Sequence, residues 1–346
     1  MRTIQLLVVS IVFLFSVSCQ KEENELLQET NDTIAMGTPL LSLLTRVVQN
    51  PTSHDNVVDN SNFFRVQLPV SVIVNEQQIT VNNTTDYQLI QDAIDAFTTD
   101  DDIVNFSFPI TIVFQDYRNQ IITSQNELDD VIDNFNDEDN FHEIDCLTIN
   151  YTIVINTFDS TNQVANTITF SNNNDLYRFL QNLNGATIVS INYPFSIQNS
   201  NGQTVVINSN NELEIAIEEA IGECNSNSGG GNGGPNDLAT VIVDGTWYIT
   251  YYFNNNIVQT SDFNGYNFTF NSTNTINVLG NGNTIDGTWE INSNGNEKRI
   301  EFEFEGNILE RLSEKWKVVE YTNNIIRLRL VGEGNGGNNY VYFTKN

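Results

Sequence analysis

The clearest pattern in the chain is a block of alternating apolar residues that returns four times. The blocks open on Leu68-Pro69-Val70-Ser71-Val72, Phe108-Pro109-Ile110-Thr111-Ile112, Ile149-Asn150-Tyr151-Thr152-Ile153 and Tyr193-Pro194-Phe195-Ser196-Ile197. Val66, Leu68, Val70, Val72 and Val74 share one face, and so do Phe106, Phe108, Ile110, Ile112 and Phe114. Period two with β-branched and aromatic side chains predicts a strand with one buried face. Proline at the same place in three blocks predicts an edge, a bulge or a strand start, because it has no N–H to give the ladder. A polar turn such as Asn199–Gly202 leads to a second short strand, predicted at Ile79–Val81, Ile121–Thr123, Thr167–Phe170 and Thr204–Ile207. The period then becomes helical, as in Leu128, Val131, Ile132 and Phe135 or Leu176, Phe179, Leu180 and Leu183. Thr85 with Gln88, Ser124 with Glu127, Asn172 with Asp175 and Ser209 with Glu212 stand at or near capping-box spacing, which marks where each helix begins.

Each block therefore reads strand–turn–strand–helix. The expectation for residues 39–224 is an α+β domain of four strand–strand–helix repeats, an antiparallel sheet with helices on one face. Pro39–Val48 is expected to form a short apolar helix packed on the first domain, after a flexible tether at residues 19–38. Composition changes at Asn225–Asn236, a run of Gly, Asn and Ser that predicts a flexible linker spanning about 20 Å. Orientation across such a linker need not be fixed. Beyond it, residues 237–346 carry only strand-like segments: Gly245–Thr250, Gly265–Phe270, Thr275–Leu279, Thr284–Ile291, Arg299–Phe304, Trp316–Tyr321, Ile325–Leu330 and Tyr340–Phe343. Short strands at regular spacing predict an all-β meander closing into a barrel or sandwich.

Residues 1–18 read as a signal peptide. Arg2 gives a positive start, and Ile4–Val17 is nearly all apolar but short for a membrane span. Ser16-Val17-Ser18-Cys19 resembles the bacterial lipobox, although Ser16 stands where that motif usually has Leu. The resemblance implies cleavage before Cys19 and lipidation of its thiol; the alternative is an ordinary secretory signal. Gln20-Lys21-Glu22-Glu23 resembles the surface-export signal of Bacteroidota lipoproteins, which implies the outer membrane with the protein facing the cell exterior. Several acyl chains anchor stably where one does not.

Residues 36–224 resemble repeat-containing lipoproteins of marine Flavobacteriia, and that likeness brings no catalytic residue. Gly245-x-Trp247 resembles the opening of lipocalins, and Gly287-Thr288-Trp289 repeats the pattern. The stretch 238–346 resembles the small lipocalin-like domains attached to Bacteroidota lipoproteins. This implies an apolar ligand, but an eight-stranded barrel is also readily filled by its own side chains. Trp247, Trp289 and Trp316 are expected in the core.

Charge narrows the partners. Asp and Glu number 44 against 14 Lys and Arg, a net charge of −30. That argues against nucleic acid and against anionic membrane surfaces, both of which need cationic patches. The acidic runs Asp100-Asp101-Asp102 and Asp133–Asp139 have neither the turn glycine nor the closing glutamate of an EF-hand loop. They are read as solvated charge, and no metal site is assigned. With Cys19 lipidated, Cys146 and Cys224 remain, and two thiols outside the cytoplasm usually pair. A bridge closing so long a loop stabilises by about 4.5 kcal/mol in the chain-entropy account; the alternative is two buried free thiols. His54 and His142 have no ligand or triad spacing, and no P-loop, Gly-x-Ser-x-Gly, His-Glu-x-x-His or Cys-x-x-Cys occurs. No catalytic residue and no cofactor are assigned. The sequence is thus read as a surface-exposed, non-enzymatic outer-membrane lipoprotein that binds an unidentified ligand or surface partner. The second reading is a structural or adhesive surface protein with no small-molecule ligand.

Overall fold

The computed structural model describes residues 33–96, 103–135, 143–159, 161, 163–184, 187–227, 237–254, 257–280, 282–294, 297–306, 308–330 and 339–346. The expected signal peptide, Cys19, the run Asp100–Asp102 and most of Asp133–Asp139 lie outside them.

The described chain enters on β1 (Thr33–Ile34), inside the expected tether, and α1 (Pro39–Val47). Ile34, Leu40, Leu43, Leu44 and Val47 are buried together. Pro39 sits in the first turn of α1, where its missing N–H has no role. The one-turn α2 (Asn56–Asp59) precedes β2 (Phe64–Val66), β3 (Val70–Val74), β4 (Gln77–Val81) and α3 (Tyr87–Asp95). Then come β5 (Val104–Phe106), β6 (Ile110–Phe114), β7 (Asn119–Ile122) and α4 (Gln125–Phe135). They are followed by β8 (Leu147–Asn150), β9 (Ile153–Phe158), β10 (Val164–Phe170) and α5 (Asn173–Gln181). The region ends with β11 (Val189–Ile191), β12 (Phe195–Asn199), β13 (Thr204–Ile207) and α6 (Asn210–Asn227).

Two expectations are corrected here. The alternating run Val66–Val74 is not one strand: it divides at a cis Leu68-Pro69 peptide into β2 and β3, which join different sheets. Cis peptides at Phe108-Pro109, Tyr151-Thr152 and Tyr193-Pro194 stand at the corresponding divisions. Nor is there one sheet with helices on one face. The region holds four small antiparallel sheets, ordered β4-β3-β5, β2-β6-β7, β1-β11-β9-β10 and β13-β12-β8.

Their pairing is reciprocal. β2 leads into β3 but pairs with β6, whereas β5 leads into β6 but pairs with β3. β8 and β11 make the same exchange with β12 and β9. Each central strand thus has both edges covered, one by its own hairpin partner and one by its neighbour's leading strand. Two cores result. Phe64, Val72, Ile90, Ile112 and Ile122 belong to the first. Ile155, Leu176, Ile197 and Leu213 belong to the second, which also takes α1. The N-terminal helix therefore packs on the second core and not on the first.

Helix starts follow the capping pattern with one shift. Ser124 Oγ accepts from Glu127 N–H, Asn172 Oδ1 from Asp175 N–H and Ser209 Oγ from Glu212 N–H. In the first case the box is Asn83 with Asp86 and not Thr85 with Gln88, because a single 3-10 turn precedes α3.

The C-terminal region begins with a short helix that the strand pattern did not show, α7 (Leu238–Ile242). The strands are β14 (Trp247–Asn254), β15 (Ile257–Val258), β16 (Asn267–Phe270), β17 (Thr275–Gly280), β18 (Asn283–Asn294), β19 (Glu297–Phe304), β20 (Lys315–Tyr321), β21 (Ile325–Leu330) and β22 (Asn339–Lys345). β15 is a flap on β14. The other eight form an antiparallel meander that closes by pairing β14 with β22. Alternate residues fill the interior, among them Phe268, Ile276, Val278, Ile300, Phe302, Trp316, Leu328 and Phe343. The rings of Phe268 and Phe343 meet edge to face at 5.3 Å. Gly287 is required by this packing, since a Cβ there would lie 2.5 Å from the Phe304 ring and 2.7 Å from the Glu303 carbonyl.

Two substitutions test the packed interior. Phe302→Ala is expected to cost about 3–5 kcal/mol through the cavity it leaves, read as a lower urea midpoint. Gly287→Ala should lower the same midpoint, because backbone as well as a ring must move to admit the methyl group.

Candidate functional site

The Gly-x-Trp pair stands where the chain passes from α7 into β14. Gly245 holds a φ of +83°, open to glycine without a steric penalty, and this turns the chain from α7 into β14. Trp247 is fully buried, and its indole N–H donates to the Ile242 carbonyl at 2.9 Å. The Lys345 ammonium lies 5.5 Å from the Trp247 ring centroid. The other two tryptophans are also anchored on backbone: Trp289 donates to Asn271 O at 3.1 Å and Trp316 to Leu312 O at 2.9 Å. Their apolar surface packs in the same core. An open recess of about 370 Å³ lies between α7 and β18, lined by Ala239, Val243, Ser272, Asn274, Trp289 and Glu290 among others.

The densest chemistry is on the outer wall of the barrel, under α6. This helix has two buried faces. Leu213, Ile217, Ala220 and Ile221 enter the second core, while Glu214 and Glu218, one turn apart, are buried toward the barrel. In β21, Ile326 and Leu328 point inward, so Arg327 and Arg329 point outward. Arg329 has 0 % exposure; Nη1 lies 2.9 Å from Glu218, and Nη2 lies 3.7 Å from Glu214 and donates to Asn211 at 3.0 Å. Lys317 of β20 also reaches Glu218, at 3.4 Å. Beside this cluster Glu320 accepts from Arg46 of α1 at 2.7 Å and from Arg327 at 2.8 Å. Arg327 and Arg329 lie over the rings of Tyr342 and Tyr340, at 5.1 and 5.7 Å. The parts on either side of the expected linker are therefore joined by buried charge, and the loose orientation expected from composition is corrected.

Burial is the largest influence on these groups. It pulls Arg46 below its ordinary range, against the attraction of Glu320. It opposes the charge of Arg329 too, but Tyr340, Glu218 and Glu214 together outweigh it and the pKa rises. Burial also pushes the phenols of Tyr340 and Tyr342 upward. Fixed, mutually neutralising charges of this kind position surfaces against each other.

A second polar cluster stitches the first core to the segment before β8. Glu143 Oε1 accepts from the Thr52 and Ser53 N–H groups at 2.7 and 3.0 Å. His54 lies 3.3 Å from Asp145, to which the Ser53 hydroxyl also donates. The hydrogen bond to Asp145 raises the His54 pKa, and the same bond lowers that of Asp145. Hydroxyl and imidazole both bond to the carboxylate and not to each other, so they do not form a nucleophile–base pair. Cys146 adjoins this cluster, with its sulfur 3.5 Å from Asp145 Oδ1. The side chain of Cys224 and all of His142 lie outside the described residues. Among the described residues no group of three or more His, Cys, Asp or Glu is placed to hold a metal, and no helix is long and apolar enough to cross a membrane.

The sequence reading passed over Arg329, Glu214, Glu218, Glu320 and Arg46. A signal was present: in a chain with so few cations, Arg327 and Arg329 both fall on the outward positions of a barrel strand, and solvation alone does not call for that.

No family model and no curated protein matches the chain. Among solved structures, a DUF4847 family protein from Bacteroides vulgatus is similar to part of it, at 16% identity over 32% of this chain and 97% of that one, with a TM-score of 0.24.

Replacing Arg329 tests the join. Arg329→Ala removes the guanidinium from the buried Glu214 and Glu218, leaving Lys317 as the cation on Glu218, and should destabilise by about 3–5 kcal/mol. Arg329→Met combined with Glu214→Leu and Glu218→Leu should recover most of that loss. Denaturant midpoints of the two variants check both statements.

Proposed function

We propose that this protein is a cell-surface lipoprotein, anchored by lipid on Cys19 to the outer membrane and facing outward, whose C-terminal lipocalin-like barrel is a contact module and not a carrier. One observation carries the reading: both surfaces of the barrel wall are committed to packing. The interior is occupied by buried aromatic and aliphatic side chains. Part of the exterior is bound to α6 and α1 through buried ion pairs. A carrier needs an unfilled, mostly apolar interior, and these side chains fill the place where a ligand would sit. The four strand–strand–helix successions are read as copies of one unit, which gives an acidic body that sets the barrel away from the membrane. A bridge between Cys146 and Cys224 would fasten the end of α6, the helix that holds the barrel, to the body. The function is then structural or adhesive, with a surface partner and without cofactor or catalytic group.

Native and denaturing mass spectrometry of the mature chain, produced in a related bacterium, should give the same protein mass. A reproducible extra mass lost on denaturation would return the barrel to the carrier reading. Cys19→Ala should move the protein from the membrane fraction to the soluble fraction; equal retention would remove the anchor from the proposal.

A further inference from the structure

The short helix α2 and the residue before it carry two carboxyl groups, Asp55 and Asp59, four positions apart and so on the same side of one helical turn. Asp55 is 2 % exposed. Each carboxyl places one oxygen on the backbone: Val66 N–H donates to Asp55 Oδ2 at 2.8 Å, and Ser61 N–H donates to Asp59 Oδ1 at 3.0 Å. The remaining oxygens, Asp55 Oδ1 and Asp59 Oδ2, are buried and meet no donor. Native proteins rarely leave buried polar atoms in that condition, and two such atoms on neighbouring acids need a common explanation.

The elements packed on α2 do not supply one. From β2 comes Arg65, whose side chain is exposed and only weakly offsets the charge on Asp55. His54, in the preceding turn, is bonded to Asp145. From α3 comes Tyr87, a neutral phenol whose pKa is pushed up to about 12, by burial first and then by Asp55 and Asp59. A negative charge on Asp55 makes ionisation of Asp59 harder. Both groups cannot comfortably be charged at once.

We propose that Asp55 and Asp59 hold a single proton between Asp55 Oδ1 and Asp59 Oδ2, forming a pH-sensitive clasp that fastens α2 to β2. One proton gives both orphan oxygens a partner and removes one of two like charges. Its release to solvent leaves two buried carboxylates, whose repulsion and desolvation drive α2 away from the Val66 amide. The electrostatics agree in direction. Burial raises Asp55 from its ordinary value to about 6 and raises Asp59 well above the carboxylate range. The folded state therefore holds the proton more tightly than the unfolded chain does. Asp55 ionises first, so the last proton of the pair stays with Asp59, and the stability it confers is complete below the ordinary carboxylate pKa and declines as pH rises from there through the raised value of Asp59.

The test compares melting temperatures of the mature protein and Asp59→Asn from about pH 4.5 to about pH 8. The substituted amide can donate to Asp55 Oδ1 at every pH. Wild type should fall relative to the variant as pH rises across this range; parallel curves would overturn the proposal. Hydrogen exchange at the Val66 amide of the wild-type protein gives a local reading that needs no variant. Exchange should accelerate across the same interval by more than hydroxide catalysis alone explains, and a rise matching hydroxide catalysis would overturn the clasp. Calcium chloride at about pH 7.5 provides the last arm. A calcium-dependent rise in wild-type melting temperature that Asp59→Asn abolishes would replace the shared proton with a bound cation.

Discussion

A guanidinium with no access to water must be surrounded by its own counter-charges, and Arg329 imposes that condition on the whole molecule. It projects from the outside of a barrel strand, where solvent would normally meet it. Its partners are therefore supplied by α6, a helix whose opposite face is already fixed in the second core. The planar fork of arginine suits this place better than an ammonium would, because it meets Glu218, Glu214 and Asn211 at once and still lies over the Tyr340 ring. Buried ion pairs are weak contributors to net stability but strict about geometry. The join is accordingly a device of position, and α6 fixes the core and the barrel in one element.

The remainder of the N-terminal region answers a different constraint, the cost of leaving strand edges bare. A three-residue strand such as β2 or β11 has little value alone. Given to a neighbour, it covers an edge that would otherwise invite foreign strands. The exchange also explains why the cores come as two and not four, since each hairpin and helix is completed only by its neighbour.

Local structure was largely legible in the sequence. The helical stretches at Leu128–Phe135 and Leu176–Leu183 and all eight barrel strands were marked by period and by turn residues. Capping pairs were legible as well, apart from the one displaced by a 3-10 turn at Thr84–Asp86. Partner choice was not. Alternation along Val66–Val74 shows which side chains are buried but carries no sign that β2 and β3 belong to different sheets, because both keep one apolar face. The ionic join was hidden for a related reason. Nothing in the sequence marks Glu214 and Glu218 as buried, and only the approach of β21 turns that face inward. The helix before Gly245 was missed because Leu238–Ile242 is too short to display a period. The clasp at Asp55 and Asp59 depends on which backbone N–H groups are within reach, and spacing does not encode that.

The closure of the barrel also fixes how it meets a mechanical load. Its first and last strands, β14 and β22, are neighbours, with Trp247 opposite Lys345, and the Asn346 amide bonds to the Thr246 carbonyl at 2.8 Å. Tension between the body and the C-terminus would enter and leave at adjacent points of one antiparallel pair. Hydrogen bonds perpendicular to the strands are then loaded one after another, as in a zipper, and not all at once in shear. The wall is thus weakest to force at the seam where the chain begins and ends its circuit, next to the ring of Trp247.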